Sequence, residues 1–120
     1  MIKGIGNDIE EIRRLVVLQQ QQPKIVSKLL TPAEVVAYEK LSKKRQGEYL
    51  TGRFSAKEAY SKALGTGIGK AVSFQELEIL NDDLGRPYFT KHPLQDDCSA
   101  YVSISHTKEF VATVVVLETR

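Results

Sequence analysis

The chain has 120 residues, 42% of them hydrophobic and 27% charged, with a formal net charge of +2. That suits one domain that buries roughly two-thirds of its unfolded surface, and it is too apolar for a disordered chain. So small a charge gives no argument for nucleic acid. The single cysteine, Cys98, excludes an internal disulfide and fits a reducing cytoplasm. No apolar run is long enough to cross a bilayer, and MIKGIGNDIE lacks the apolar stretch and cleavage site of a secretory signal.

Ile2 to Ile9 reads as a strand. Ile5 and Ile9 share one face with Lys3 and Asn7, and Gly4, Gly6, Asp8 and Glu10 share the other. Two glycines on one face mark either a bulge or a place where something must come close. Asp8 accordingly stands beside a gap or is simply solvated at a strand end.

Glu11 to Leu18 reads as a short helix with Ile12, Leu15 and Val16 along one side and Arg13 and Arg14 on the polar side. The glutamine tract before Pro23 is a frayed end or connector, and Lys24 to Leu30 adds a turn or two of helix with Lys24 and Lys28 one turn apart. Such basic positions are either a solvated face or a docking surface for an acidic helix. Thr31-Pro32-Ala33-Glu34 is a helix start: Thr31 at the N-cap, Pro32 in the first turn, Glu34 completing a capping box. This helix runs to about Leu41 and is followed by the basic cluster Lys43, Lys44 and Arg45.

The next helix, from about Arg45 to Leu64, is the centre of the sequence. Leu50, Phe54, Ala56, Tyr60, Ala63 and Leu64 spread around its axis, and Lys57, Glu58, Ser61 and Lys62 form a dense polar run. Glu58 and Lys62, one turn apart, are by spacing alone an ordinary surface pair. The helix closes in Gly65-Thr66-Gly67-Ile68-Gly69. This is no P-loop, because a glycine loop after a helix C-terminus meets a dipole of the wrong sign for phosphate. A phosphate bound here requires Lys62 or a metal to supply positive charge.

The remainder reads as strands: Val72 to Leu80, a turn at Asn81 to Gly85, and a return over Arg86 to Thr90, with Pro87 marking an edge. Ala100 to His106 alternates, and Phe110 to Glu118 reads as a well-buried strand pairing with it as a terminal hairpin. We expect an α+β fold, a long central helix packed against antiparallel strands, with residues 1–120 forming a single domain.

Cys98 with His92 or His106 matches no thiol-enzyme spacing, Ser103, Ser105 and His106 form no nucleophile elbow, and one cysteine with two distant histidines makes no zinc site. Oxygen ligands are available. Asp8 with Glu58 would form the sparse carboxylate site that Mg²⁺ prefers when substrate phosphates and water fill its other positions. Spacing alone cannot bring these two residues together.

The start GIGNDIEEIRR and the segment GRFSAKEAYSKALGTGIG together resemble the holo-[acyl-carrier-protein] synthase family, the small bacterial 4′-phosphopantetheinyl transferases. FQELEI, GRPYF and VSISHT fall where that family has strands, so the resemblance covers essentially the whole chain. It implies transfer of the phosphopantetheine arm of coenzyme A to a serine of apo acyl carrier protein for fatty acid synthesis, with release of adenosine 3′,5′-bisphosphate. It implies Asp8 and Glu58 as Mg²⁺ ligands, Glu58 as the group activating the serine, and Lys62 as the cation for the leaving bisphosphate. Lys44, Arg45, Arg53 and His106 correspond to coenzyme A contacts near the 3′-phosphate, and Gly65, Thr66 and Gly67 to a backbone wall that the ligand approaches. Arg14, Lys24 and Lys28 correspond to the carrier-docking face. The resemblance also implies a cytoplasmic homotrimer with active sites at subunit boundaries. Asn7, where the family usually has an apolar residue, and Gln21 and Gln22, where members can be basic, depart from the pattern. Two rivals remain: another metal-dependent phosphoryl transferase or phosphodiesterase, and a non-catalytic trimeric module binding an acidic partner on the Arg14 face.

Overall fold

The computed structural model describes residues 1–68 and 72–120. Gly69, the last glycine of the sequence GTGIG, lies outside the described residues. The chain runs β1 (Ile2–Glu11), α1 (Ile12–Gln21), α2 (Ile25–Leu29), α3 (Pro32–Glu39), α4 (Lys43–Leu64), a 3₁₀ turn (Phe74–Glu76), β2 (Glu78–Asn81), β3 (Pro87–Lys91), β4 (Cys98–His106) and β5 (Phe110–Thr119). This is the expected α+β arrangement. A three-stranded antiparallel sheet in the order β1-β5-β4 carries α4 on one face, and β2 and β3 form a separate two-stranded ribbon.

The position of α4 explains why its apolar residues spread around the axis. Leu50, Thr51, Ser55, Ala56, Lys57, Ala59, Tyr60 and Ser61 are all fully enclosed, so the helix is packed on most of its circumference and has no broad solvent face. Ala59, Tyr60 and Ala63 join Val115 and Leu117 of β5 with Leu77 in one core, while Leu50 joins Leu15, Leu29, Leu30 and Tyr38 in a second. Ser42 caps the start of α4 by accepting from Arg45 N, so Lys43, Lys44 and Arg45 form its first turn rather than a junction before it. The Thr31 capping box forms as read: Thr31 Oγ1 accepts from Glu34 N, and Thr31 N donates to Glu34 Oε1.

Two strand expectations change. Val72 to Leu80 is not one strand. Ser73 N donates to Glu76 Oε1 at 2.9 Å, a second capping box that winds Phe74–Glu76 into a 3₁₀ turn and delays the strand to Glu78. β5, expected to be well buried, alternates instead. Val111, Thr113, Val115 and Leu117 are buried against α4, whereas Phe110 and Val114 stay exposed. The register puts Ile5, Asn7 and Ile9 opposite Val116, Val114 and Ala112, and Tyr101 and Ser103 opposite Val116 and Val114. These residues make up the outer face of the sheet, which nothing among the described residues covers.

Candidate active site

The glycine face of β1 lies directly on α4. A Cβ built on Gly4 would sit 2.0 Å from Ala63 O, and one on Gly6 would sit 1.9 Å from Ala59 O. The close-approach reading holds at both residues, where the strand backbone touches the helix backbone and any side chain would force them apart. The bulge reading holds beside Gly4, where the pairing with β5 shifts register between Ile2 and Gly4. Asp8 follows on the same face, opposite Thr113, whose hydroxyl bonds to Ser55 of α4 at 2.8 Å.

This contact brings Asp8 to the polar run of α4. Lys62 Nζ donates to Asp8 Oδ1 at 3.0 Å, so the ion pair of Lys62 crosses from helix to strand rather than closing on Glu58. The other carboxylate oxygen, Asp8 Oδ2, is buried with no hydrogen-bond partner. Glu58, half-buried on α4, has its pKa raised by burial and then by the Asp8 charge, against the lowering influence of Lys62 and Arg14. Glu10, next on the Asp8 face, is pushed up to about 7, first by burial and then by the neighbouring Asp8 carboxylate, against the lowering influence of Arg14. Arg14 Nη1 donates to Glu10 Oε1 at 2.7 Å, and the guanidinium lies 6.0 Å from the Phe54 ring centroid.

A buried carboxylate oxygen without a donor costs free energy unless something positive meets it. Asp8 Oδ2 beside Glu58 is an all-oxygen donor set, which fits a hard cation. Among the described residues no group of three or more His, Cys, Asp or Glu is arranged to hold a metal. A cation here would therefore take two protein carboxylates and complete its shell from water and substrate phosphate, as Mg²⁺ usually does.

The expected coenzyme A residues separate. Arg45, Arg53 and His106 line one cleft of about 310 Å³ with Glu48, Tyr49, Gly52, Asn81 and Pro87. Within it, Arg53 is turned inward: its Nε donates to Ile79 O, its Nη2 to Asn81 Oδ1, and its guanidinium lies 4.3 Å from the Tyr49 ring centroid. His106 Nδ1 lies 3.9 Å from Glu48 Oε2. Lys44 is not in this cleft. It lines another of about 570 Å³ on the α1 side, with Val16, Tyr38 and Gly47. Gly65 and Gly67 adopt φ values of 84° and 81°, and Gly65 caps α4 through its N–H to Ser61 O and Lys62 O. Arg14 on α1, Lys24 before α2 and Lys28 in the last turn of α2 are all exposed. Cys98 is buried, and His92 Nδ1 shares a 2.9 Å hydrogen bond with the Tyr60 hydroxyl, so neither is free to act as a thiol–imidazole pair.

Two residues gain roles here that were not assigned from sequence. Glu10 shares the Asp8 face by simple alternation, and its one-turn spacing to Arg14 was legible. Lys57 belongs to the polar run but is wholly buried, donating to Glu34 Oε1 at 2.6 Å, Leu29 O at 2.8 Å and Phe74 O at 3.1 Å.

The family model of the 4′-phosphopantetheinyl transferase superfamily matches residues 4–115. The holo-[acyl-carrier-protein] synthase of Lacticaseibacillus casei is 50% identical over 118 residues, covering 98% of this chain and 93% of that protein. The crystal structure of the holo-(acyl-carrier-protein) synthase from Bacillus anthracis in complex with CoA (3′,5′-ADP) superposes with a TM-score of 0.89 at 44% identity, covering 100% of this chain and 99% of that one. That of the Neisseria meningitidis synthase gives a TM-score of 0.88 at 37% identity, covering 99% and 100%. A carboxylate–lysine site built where a glycine-faced strand touches the central helix thus sits in a fold shared along its whole length, and the chain belongs to the 4′-phosphopantetheinyl transferase superfamily, with the holo-[acyl-carrier-protein] synthases as its relatives.

Proposed function

We propose that this chain, acting as a single transferase domain in the cytoplasm, moves 4′-phosphopantetheine from coenzyme A to a serine of apo acyl carrier protein with the help of Mg²⁺. The observation that carries this reading is the meeting of Asp8, with its unpartnered oxygen, and Glu58 and Lys62 across the β1–α4 contact. Asp8 and Glu58 would hold the ion. When bound, it polarises the attacked phosphoryl group and offsets charge on the leaving one.

The serine oxygen forms a new bond to the phosphorus that carries the pantetheine arm, and the bond from that phosphorus to the bisphosphate oxygen breaks. Glu58 takes the serine proton. Lys62, half exposed and tied to Asp8, would stabilise the charge on the departing oxygen. No covalent enzyme intermediate is needed; positioning and charge do the work. Arg45 and His106 meet the 3′-phosphate end of coenzyme A, Arg53 fixes the wall behind them, and Gly65, Thr66 and Gly67 give a backbone surface without bulk. Lys44, which lines the α1-side cleft, is the one expected contact of the 3′-phosphate end that the Arg45 cleft does not contain. The acidic carrier docks on Arg14, Lys24 and Lys28. The uncovered sheet face supports a homotrimer with sites at its boundaries.

Incubation with coenzyme A, Mg²⁺ and apo carrier should add one phosphopantetheine to the carrier, read by mass spectrometry. An unmodified carrier sinks the reading, and hydrolysis of coenzyme A without transfer points to a phosphodiesterase. Glu58→Gln should lower kcat about 10²- to 10⁴-fold, the usual worth of a positioned acid–base group. Full activity in that variant removes the assignment of Glu58.

A further inference from the structure

The placement of Arg14 conflicts with a simple docking role. A cation that only awaits an acidic partner should point its guanidinium into solvent. Arg14 instead donates Nη1 to Glu10 Oε1 at 2.7 Å and leans toward the Phe54 ring. The two partners differ in exposure: the Arg14 side chain is 61% exposed, the Glu10 side chain 12%. Glu10 is therefore the anchored member. It lies on the inner face of β1, opposite Val111, one alternation beyond Asp8. Arg14 is the outer member, reaching back from the first turns of α1 across the strand–helix junction.

We propose that Glu10 is a specificity-determining residue that competes with the acidic carrier for Arg14. This rests on the reading of Arg14 as a docking cation. Glu10 occupies an Arg14 donor at 2.7 Å, and when ionised it offsets part of that charge and repels any acidic helix that approaches. The single Nη1 contact leaves the other guanidinium donors free. A carrier carboxylate therefore shares Arg14 with Glu10 or pulls it away, and only a carrier with enough acidic groups on its docking helix offsets that loss. Docking is weaker than the basic surface alone would give, and correspondingly more selective. Lys24 and Lys28 have no side-chain ion pair among the described residues and supply attraction without this competition.

The test measures KM for apo carrier and for coenzyme A in the wild type, Glu10→Gln, Glu10→Ala, Arg14→Gln and the Glu10→Gln/Arg14→Gln double variant. Removing the rival charge should lower the carrier KM about threefold, the scale of an exposed ion pair, in both Glu10 variants. The carrier KM should fall relative to the coenzyme A KM, which reports any change that Glu10 makes at the neighbouring Asp8. On the Arg14→Gln background the Glu10 effect should vanish, because the residue acts through Arg14. An unchanged or raised carrier KM in both Glu10 variants overturns the proposal, as does an equal fall on the Arg14→Gln background. If Arg14→Gln alone leaves the carrier KM unchanged, the docking reading fails and this proposal fails with it. If Arg14→Gln raises that KM while the Glu10 variants do not lower it, only this proposal fails.

Discussion

Lys57 has no exposed surface and three acceptors around its ammonium, and its partner Glu34 is equally enclosed. Glu34 also accepts from Thr31 N and Ile79 N, so one ion pair ties α3, α4, the end of α2 and the start of β2 together. Its value lies in specifying that junction, since two desolvated charges gain little net energy from meeting. Lys57→Met should cost about 3–5 kcal/mol in urea unfolding, because Glu34 is left buried without a counter-charge. A loss below about 1 kcal/mol would show that water reaches Glu34. His92 contributes one pH-dependent part of the stability, opposed in sign by Glu10, whose pKa is pushed up to about 7. Burial first, and the Arg120 charge second, lower its pKa below the ordinary value of 6.5. Above pH 6.5 the ring is neutral in both folded and unfolded chains, so the full stability is present. As pH falls from there toward the folded-state pKa, the unfolded chain takes up the proton first and stability is lost. The His92 contribution should therefore be lost as pH falls below 6.5, read as a steeper acid-side loss of Tm in the wild type than in His92→Gln. An equal slope in both proteins would place the titrating group elsewhere.

At the scale of elements, the β1–α4 contact positions the chemistry. Gly6→Ala puts a methyl carbon against Ala59 O, a backbone atom that cannot swing aside. Either the strand lifts or the helix bends, at a cost of about 1–3 kcal/mol or more. Asp8, on the same face, moves with it. Transfer activity should fall by more than the fraction unfolded accounts for, and full activity in a folded Gly6→Ala protein would break the link between this contact and the site. The glycine face, the capped start at Thr31 and the long helix were legible because each is a local signal: alternation, a capping box, a run of helix formers. The Ser73–Glu76 capping box was equally legible, but the apolar residues around it read more strongly as a strand. What no local signal carries is which distant residue a charge will meet. Lys57 and Glu58 are neighbours in one polar run, yet one joins Glu34 in the interior while the other lies near enough to Asp8 to feel its charge. The same limit parted Lys44 from Arg45: adjacent in sequence, they face different clefts because a helix turns about 100° per residue.

For the molecule as a whole, the outer sheet face poses the remaining structural question. Ile5 is 64% exposed, Ile9 66%, Tyr101 56% and Val114 42%, and the strand register makes them neighbours. Single exposed apolar residues are ordinary, but this many on one face of three paired strands, with Asn7 and Ser103 among them, are not. Asn7, which departs from the family's apolar pattern, belongs to this face and lies opposite Val114. The proposed trimer would bury it, so its polar group would need a partner at the boundary. Val114 lies at the centre, paired with Asn7 on one side and Ser103 on the other. Val114→Lys puts an ammonium in the middle of that face without touching the core, since the side chain points away from α4. In a trimer the charge appears once per subunit, and each desolvated copy costs on the order of several kcal/mol. The variant should sediment as a monomer at micromolar concentration, keep a helix-rich circular dichroism spectrum, and lose transfer activity together with coenzyme A binding. A Val114→Lys protein that sediments like the wild type and transfers phosphopantetheine at full rate would show that this face is not the boundary. A stable, fully active monomer would show that α4 and β1 of one chain complete the site alone.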